Sequence, residues 1–177
     1  MAKMQTFPDD AVVKSAQISR EQILEFAVGG LFQGLEEIVG SVEANGYFTL
    51  VGKSIGDKLY NIYLDSLEVE VLSKKQLFSV LHLLSSRMEN ELAVAKDGSF
   101  FEFSRTFKPI GGVQIDNRYL GMVACGLVGH MTAQSVGQAR VLLCTADDEG
   151  TGKVRMQVYL DDLEGEGQIF YRDDPDG

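Results

Sequence analysis

The spacing of apolar residues changes from segment to segment along this chain, and the change limits the folds that it can adopt. Three successive segments between residues 19 and 88 repeat apolar residues at the interval of an amphipathic helix. The interval shortens to two residues over 91–107, lengthens over 117–136 and shortens again over 138–160. Grouped helices with antiparallel strands are typical of the α+β class. We predict four main helices packed on an antiparallel sheet of two hairpins.

Capping residues indicate where the predicted helices begin and end. Ser19–Gln22 and Ser73–Gln76 have the spacing of a capping box, in which the serine hydroxyl accepts a hydrogen bond from the first turn. Asn45-Gly46 is a typical breaker, so the second helix is predicted to follow it. The fourth helix is predicted over Asn117–Val136, and Gly137 is suited to ending it.

Alternating sequences predict the two hairpins. Glu91–Lys96 and Ser99–Phe107 flank Asp97-Gly98, a pair that suits a type I′ turn. Gln138–Thr145 and Lys153–Leu160 form the second hairpin. The last of these strands has apolar residues on one face: Val154, Met156, Val158 and Leu160.

Glycines recur within the helical segments, although each costs a helix up to about 1 kcal/mol relative to alanine. Gly52 and Gly56 are four residues apart and therefore lie on one side of the second helix. Gly121, Gly126 and Gly129 make one face of the fourth helix small. We predict that another backbone approaches the glycine side of the second helix closely.

Composition indicates one ordinary domain and excludes several classes of protein. The 177 residues are 45% hydrophobic, which is enough for a core. The net charge is −10, so a basic face for nucleic acid is not expected. No apolar run reaches the roughly 18 residues of a membrane span. Two cysteines do not form a disulfide framework and no secretory segment is apparent, so a cytoplasmic protein is predicted.

The chain is divided on these grounds into a leader (1–18), a single α+β domain of ligand-binding type (19–160) and an acidic tail (161–177). The tail contains seven acidic residues and one basic residue. Most of it is expected to be loose, but Ile169–Tyr171 could pack as a short strand.

Few residues in the chain could carry chemistry. His82 is expected on a helix surface, and His130 is expected to act as a cap near the end of the fourth helix, with a ligand-facing role as the alternative. Cys125 and Cys144 are expected as small core residues, because two isolated cysteines do not make a tetrahedral metal site. The acidic loop 147–152 has neither calcium-hand nor phosphate-loop spacing. No catalytic residue is predicted, and a binding protein is favoured over an enzyme.

Two stretches of the chain resemble the 4-vinyl-reductase domain family. In Tyr47–Leu64 glycines recur four apart, and in Tyr119–Tyr159 a helix rich in glycine and alanine leads into a strand, a polar loop and a final strand. The resemblance extends over roughly Ser19 to Leu160. It implies the fold of haem-based nitric-oxide sensors and vesicle-tethering transport-particle subunits. It also implies a dimer that holds a small, often hydrophobic molecule between helices and sheet.

The same resemblance bears on a metal site. The family often has a cysteine cluster near the last hairpin that can bind zinc, and Cys144 falls where one such cysteine would be. Lys153, Arg155 and Gln157 stand in the region where its partners are expected. Cys144 is therefore a weak candidate metal ligand, the missing partners argue against a zinc site, and the sequence does not identify a cofactor.

These observations lead to different classes of function. The first is a non-catalytic sensory domain that acts as a homodimer and binds a hydrophobic small molecule. The alternative is an adaptor or assembly subunit without a ligand, whose glycine faces pack against a partner protein; a tetrapyrrole-related enzyme accessory is a third, by analogy with the family. For the first hypothesis the predicted ligand-binding residues are Phe48, Gly52, Phe101, Phe103, Tyr119 and Cys125.

Overall fold

A computed structural model describes residues 20–87, 91–95, 100–106, 117–146 and 153–173. Within these ranges the chain forms four helices and five strands, which confirms the predicted α+β class. The helices are α1 (Arg20–Val39), α2 (Ser41–Leu67), α3 (Lys74–Arg87) and α4 (Asn117–Val136). The strands are β1 (Glu91–Val94), β2 (Phe100–Thr106), β3 (Gln138–Ala146), β4 (Lys153–Tyr159) and β5 (Gln168–Tyr171).

A single residue, Gly40, separates α1 from α2. Its φ is 86°, a left-handed value that residues with a side chain rarely adopt. Asn45-Gly46 lies inside the second turn of α2, so the prediction that α2 follows this pair was wrong. The reason is tertiary packing: Ala44 and Phe48, on either side of the pair, are buried in a cluster with α1 and Tyr119, and this outweighs the local turn preference.

The ends of α3 and α4 agree with their sequence signals. The backbone N–H of Ser73 donates to Gln76 Oε1 at 2.9 Å, and the backbone N–H of Gln76 donates to Ser73 Oγ at 3.4 Å, which confirms the second capping box. α4 has the predicted bounds. Gly137 follows it with a φ of 100° and donates to Ala133 O at 2.8 Å, so the predicted terminating glycine is confirmed.

One antiparallel sheet contains all five strands, in the order β1-β2-β4-β3-β5. The predicted hairpins are present as β1–β2 and β3–β4, and they join where Phe101 of β2 pairs with Val158 of β4. Two hairpins were an incomplete description, because β5 pairs with the free edge of β3 and sets Phe170 opposite Ala139. The predicted docking of residues 169–171 as a short strand is thereby confirmed.

α4 is the central element, because it contacts α2 and α3 as well as β3, β4 and β5. The predicted close approach of backbones occurs where it meets α2. A Cβ at Gly52 would overlap the carbonyl oxygen of Val123, and a Cβ at Gly126 would overlap that of Thr49. At Gly56 it would lie 2.8 Å from another carbonyl oxygen of α4. Glycines on both helices therefore permit a separation that any side chain would prevent.

Some features of the sequence lie outside the described residues. They are the leader 1–18, Ser19 of the first capping box, the hairpin turn Asp97-Gly98, the acidic loop 147–152 and the last residues of the tail, 174–177.

Candidate functional site

An apolar cavity lies between α3, α4 and the sheet. Leu81 and Leu84 of α3, Val128 of α4, and Phe103 and Met156 of the sheet contribute to its walls. Its volume is about 60 Å³. A cavity of about 150 Å³ is known to hold benzene, and pockets for larger organic ligands measure about 300–1,000 Å³. In this conformation the core is nearly filled, and a ligand of that size would enter only if the walls moved apart.

Three of the six predicted ligand-binding residues belong to this region. Phe103 lines the cavity. Phe101 is fully buried, and its ring centroid lies 5.5 Å from that of Phe103. Cys125 is buried in the same hydrophobic core.

The other three lie at the junction of α1, α2 and α4. The rings of Phe48 and Tyr119 are 4.7 Å apart, and Phe32 of α1 packs edge-on against Phe48 at 4.4 Å. Gly52 is in the α2–α4 contact. Burial, and then the nearby Glu36, raises the pKa of the Tyr119 hydroxyl, which stays protonated. The structure thus places the six residues in two separate regions, and their role in binding remains a prediction.

The two cysteines are not activated. Burial, with a smaller contribution from the neighbouring Cys144, raises the pKa of the Cys125 thiol to about 12. Burial also raises the pKa of Cys144, which is only partly buried. Because the thiolate is both the nucleophile and the metal ligand, neither thiol is primed for chemistry at neutral pH. In the described ranges, no three His, Cys, Asp or Glu side chains are grouped so that they could hold a metal ion.

The apolar face of α2 is wider than its contact with α4. One side carries Phe48 and the glycines that face α4. Next to Phe48 around the helix lies a row of large residues that the described chain covers only in part, which we call the outer stripe. The outer stripe consists of Tyr47 (58% exposed), Val51 (40%), Ile55 (39%) and Ile62 (56%).

α1 is also incompletely covered. Phe32 and Leu35 pack against the cluster on α2, whereas Ile23, Leu31 and Ile38 are between 58% and 83% exposed. The helical spacing of these residues was visible in the sequence, but the structure shows that much of the stripe faces outward. Of the helices in the described ranges, none combines the length and the apolar character needed to cross a membrane.

His130 is buried in α4, with 1% of its surface exposed, and it borders an open groove between α2 and β5. The prediction that it caps the helix was wrong, because α4 continues to Val136. Its Nε2 lies 3.6 Å from Asp57 Oδ1 and has no hydrogen-bond partner among the described residues. Burial lowers the pKa of His130 in spite of the nearby Asp173, so the ring is neutral at pH 7. His82 is exposed on α3, as predicted.

Comparison with known proteins gives a fold but no family. No family model matches the chain. No curated protein matches it either. Among solved structures it is similar to subunit 3 of a trafficking protein particle complex from Naegleria fowleri, described as covalently bound to palmitic acid. The TM-score is 0.52 at 12% identity, over 82% of this chain and 98% of that one.

This likeness shows a shared fold and, at such low identity, nothing more. It agrees with the fold of transport-particle subunits that the sequence resemblance implied. Membership of the 4-vinyl-reductase family, a bound ligand and a homodimer remain predictions.

Proposed function

We propose that this chain is a non-catalytic assembly subunit that forms a homodimer through the outer stripe of α2 and is part of a larger protein complex. The outer stripe is the observation that carries the proposal. Large apolar residues on a helix surface lose favourable burial unless a partner covers them. The fold shared with a subunit of a multi-subunit complex supports the same interpretation.

A second copy of the chain fits this surface because the stripe is self-complementary. If two α2 helices pack antiparallel with Ser54 and Ile55 at the two-fold axis, Tyr47 of each copy lies beside Ile62 of the other. Lys58 is the charged residue on this side between those positions. In a chain of net charge −10, a surface without acidic residues is where two copies repel each other least.

The size of the surface is suitable for a dimer. The stripe covers 16 residues of helix, about 24 Å at a rise of about 1.5 Å per residue. A stable interface buries about 1,200–2,000 Å² in total, and the exposed apolar residues of α1 supply area beyond the stripe. Closed two-fold dimers are the commonest oligomers and use the same patch on both copies.

The dimer is tested by sedimentation equilibrium across a dilution series. We expect the wild-type chain to sediment as a dimer and Ile55→Glu to sediment as a monomer with unchanged circular dichroism. Leu83→Glu is the matched control, because Leu83 is as exposed as Ile55 but lies on α3. A wild-type monomer at every concentration, or an Ile55→Glu dimer, would contradict the proposal.

Binding of an apolar small molecule is a second candidate function. The apolar walls of the cavity favour it, and so does the palmitic acid named for the similar structure. Native mass spectrometry should then show an added mass that denaturing conditions release, and Val128→Phe, which fills the cavity, should abolish it. A bare protein mass after purification from cells and after incubation with palmitic acid would count against this function.

A further inference from the structure

The C-terminal residues 168–173, which we call the strap, comprise β5 followed by Arg172 and Asp173. They lie across β3, α4 and α2, at some distance in sequence from all of these elements. The backbone N–H of Arg172 donates to Gly137 O, and its guanidinium donates to Ser135 O, each at 2.9 Å. The strap thus continues the sheet and covers the end of α4.

The aromatic anchor of the strap is Phe170. Its side chain is 8% exposed, whereas its neighbours Ile169 and Tyr171 are 40% and 61% exposed. The ring occupies a notch at Gly129 of α4, where an added Cβ would overlap it. One ring therefore provides most of the apolar contact that holds the strap.

The acidic anchor is Asp173, which is bound by groups of two helices. Lys53 Nζ of α2 donates to its Oδ1 at 2.9 Å, and Gln134 Nε2 of α4 donates to its Oδ2 at 3.1 Å. His130 Nδ1 is 4.0 Å from the same Oδ2. Lys53 and Gln134 thus form a carboxylate receptor beside the open groove, and the ring of His130 borders it.

The residues that precede the strap are held in place by Arg140 and not by the anchors of the strap. Arg140 of β3 donates to Asp162 O at 3.0 Å and to Glu166 O at 2.7 Å, and its guanidinium lies 3.9 Å from the centroid of the Tyr159 ring. Gly167 follows with a φ of 125°. Arg140 therefore fixes the chain up to Glu166, and Gly167, packed close to Val141 O of β3, marks the boundary between this connection and the strap.

We propose that the strap is a displaceable internal occupant of a docking site for an extended segment of a partner protein, with an aromatic residue followed three positions later by Asp or Glu. The partner's segment pairs with the edge of β3, places its ring at Gly129 and its carboxylate on Lys53 and Gln134. Addition of a strand to a sheet edge is a common mode of peptide recognition. This site is separate from the outer stripe, so it does not depend on the proposed dimer.

Weak attachment of the strap makes exchange feasible. It is a four-residue edge strand, and the Lys53–Asp173 pair is 42% and 58% exposed, which makes its contribution small. The contacts of Phe170 and Arg172 hold the strap, and its tether adds to them by keeping it at a high local concentration. Loss of one anchor should therefore favour a competing segment.

The test uses the full chain and a fluorescent, C-terminally amidated peptide of residues 167–173, Gly-Gln-Ile-Phe-Tyr-Arg-Asp. Fluorescence anisotropy should show binding to Asp173→Asn about fivefold tighter than to the wild type, since one exposed ion pair no longer holds the strap. Phe170→Ala should bind about tenfold tighter or more. The same peptide with Asn in place of its Asp should bind the Asp173→Asn chain about fivefold more weakly than the unmodified peptide does.

Lys53→Met in the Asp173→Asn background should remove the difference between the two peptides, as expected when the lysine receives the carboxylate. If Phe170→Ala does not fold, Asp173→Asn carries the test alone, because it changes an exposed side chain. Equal affinity for wild type and Asp173→Asn, or no saturable binding to a folded Asp173→Asn chain, would overturn the proposal.

Discussion

The two sides of α2 differ in the size of their residues and in what surrounds them. The inner side carries glycines in contact with the α4 backbone, and the outer side carries large apolar residues that the described chain leaves exposed. Inner glycine positions have no room for an added carbon, whereas the outer-stripe residues are only partly covered, with 39–58% of their surface exposed. We infer that the inner side determines whether the chain folds and the outer side determines what it assembles with.

The largest effect is expected at Gly126, on the α4 side of the inner contact. Gly126→Val would place its Cβ against the Thr49 carbonyl and 2.9 Å from the backbone nitrogen of Lys53, so the helices must separate. We expect a loss of about 5 kcal/mol in the free energy of unfolding, or no folded protein. Urea unfolding followed by circular dichroism measures this. A loss below about 1 kcal/mol would show that the helices are not in close contact.

The neighbours Phe48 and Tyr47 test the comparison within one turn. Phe48 is 2% exposed and Tyr47 is 58% exposed. Phe48→Ala should lower the free energy of unfolding by about 3–4 kcal/mol, because it leaves a cavity beside Phe32. Tyr47→Ala should leave the stability of the monomer nearly unchanged and weaken the dimer. Equal losses of stability in the two variants, at concentrations where the chain is monomeric, would contradict the proposed difference between the two sides of α2.

A smaller effect is expected from His130, beside the inner side of α2. Asp57 and Lys53 of α2 and Asp173 of the strap face its ring, and burial lowers its pKa. The unfolded chain therefore binds a proton at higher pH than the folded chain. The contribution of His130 to stability is complete above its ordinary pKa of about 6.5 and is lost as the pH falls below that value.

Melting temperatures between pH 8 and pH 5.5 check this prediction. The wild-type value should fall over this range, and His130→Gln should show a smaller fall. The lowered pKa of Asp173 acts in a different window, below the ordinary pKa of an aspartate, so it does not obscure the result. Parallel curves for the two proteins would refute the assignment.

The smallest effect is expected at Gly46, which is the matched control for the inner glycines. No described atom lies within 4 Å of a Cβ built there. Gly46→Ala should raise the free energy of unfolding by about 0.5–1 kcal/mol, because alanine favours the helix. Chemical denaturation measures the change. A loss of stability would mean that another surface, such as a second copy, packs at this position.

Local signals predicted much of the fold. The capping box at Ser73, the terminating Gly137 and the alternating strand 153–160 depend on neighbours close in sequence, and the structure confirms each. The helix start predicted after Asn45-Gly46 was wrong for the opposite reason, since contacts with α1 and α4 override the turn preference of this pair. Local preference is decisive only where distant parts of the chain do not oppose it.

The candidate site was less predictable. Gly52 and Gly56 correctly indicated close helix packing, but their spacing could not identify α4 as the partner. Periodicity likewise shows that Ile55 lies on an apolar face without showing that 39% of its surface stays exposed. The carboxylate receptor joins Lys53 to Asp173, 120 residues later, and no sequence pattern links the two. These features arise from tertiary contacts alone.

The proximity of two outer stripes in solution is the most direct test of the proposed dimer. A nitroxide at Ser54→Cys, in a Cys144→Ser background, labels the centre of the stripe, because Cys125 is buried with a pKa of about 12. Pulsed electron paramagnetic resonance should give a distance within about 20 Å between copies, since packed helices have axes about 8–10 Å apart. A label at Ser79 on α3 should give a longer distance. The absence of any dipolar signal from the Ser54 label at dimer-forming concentrations would contradict the proposal.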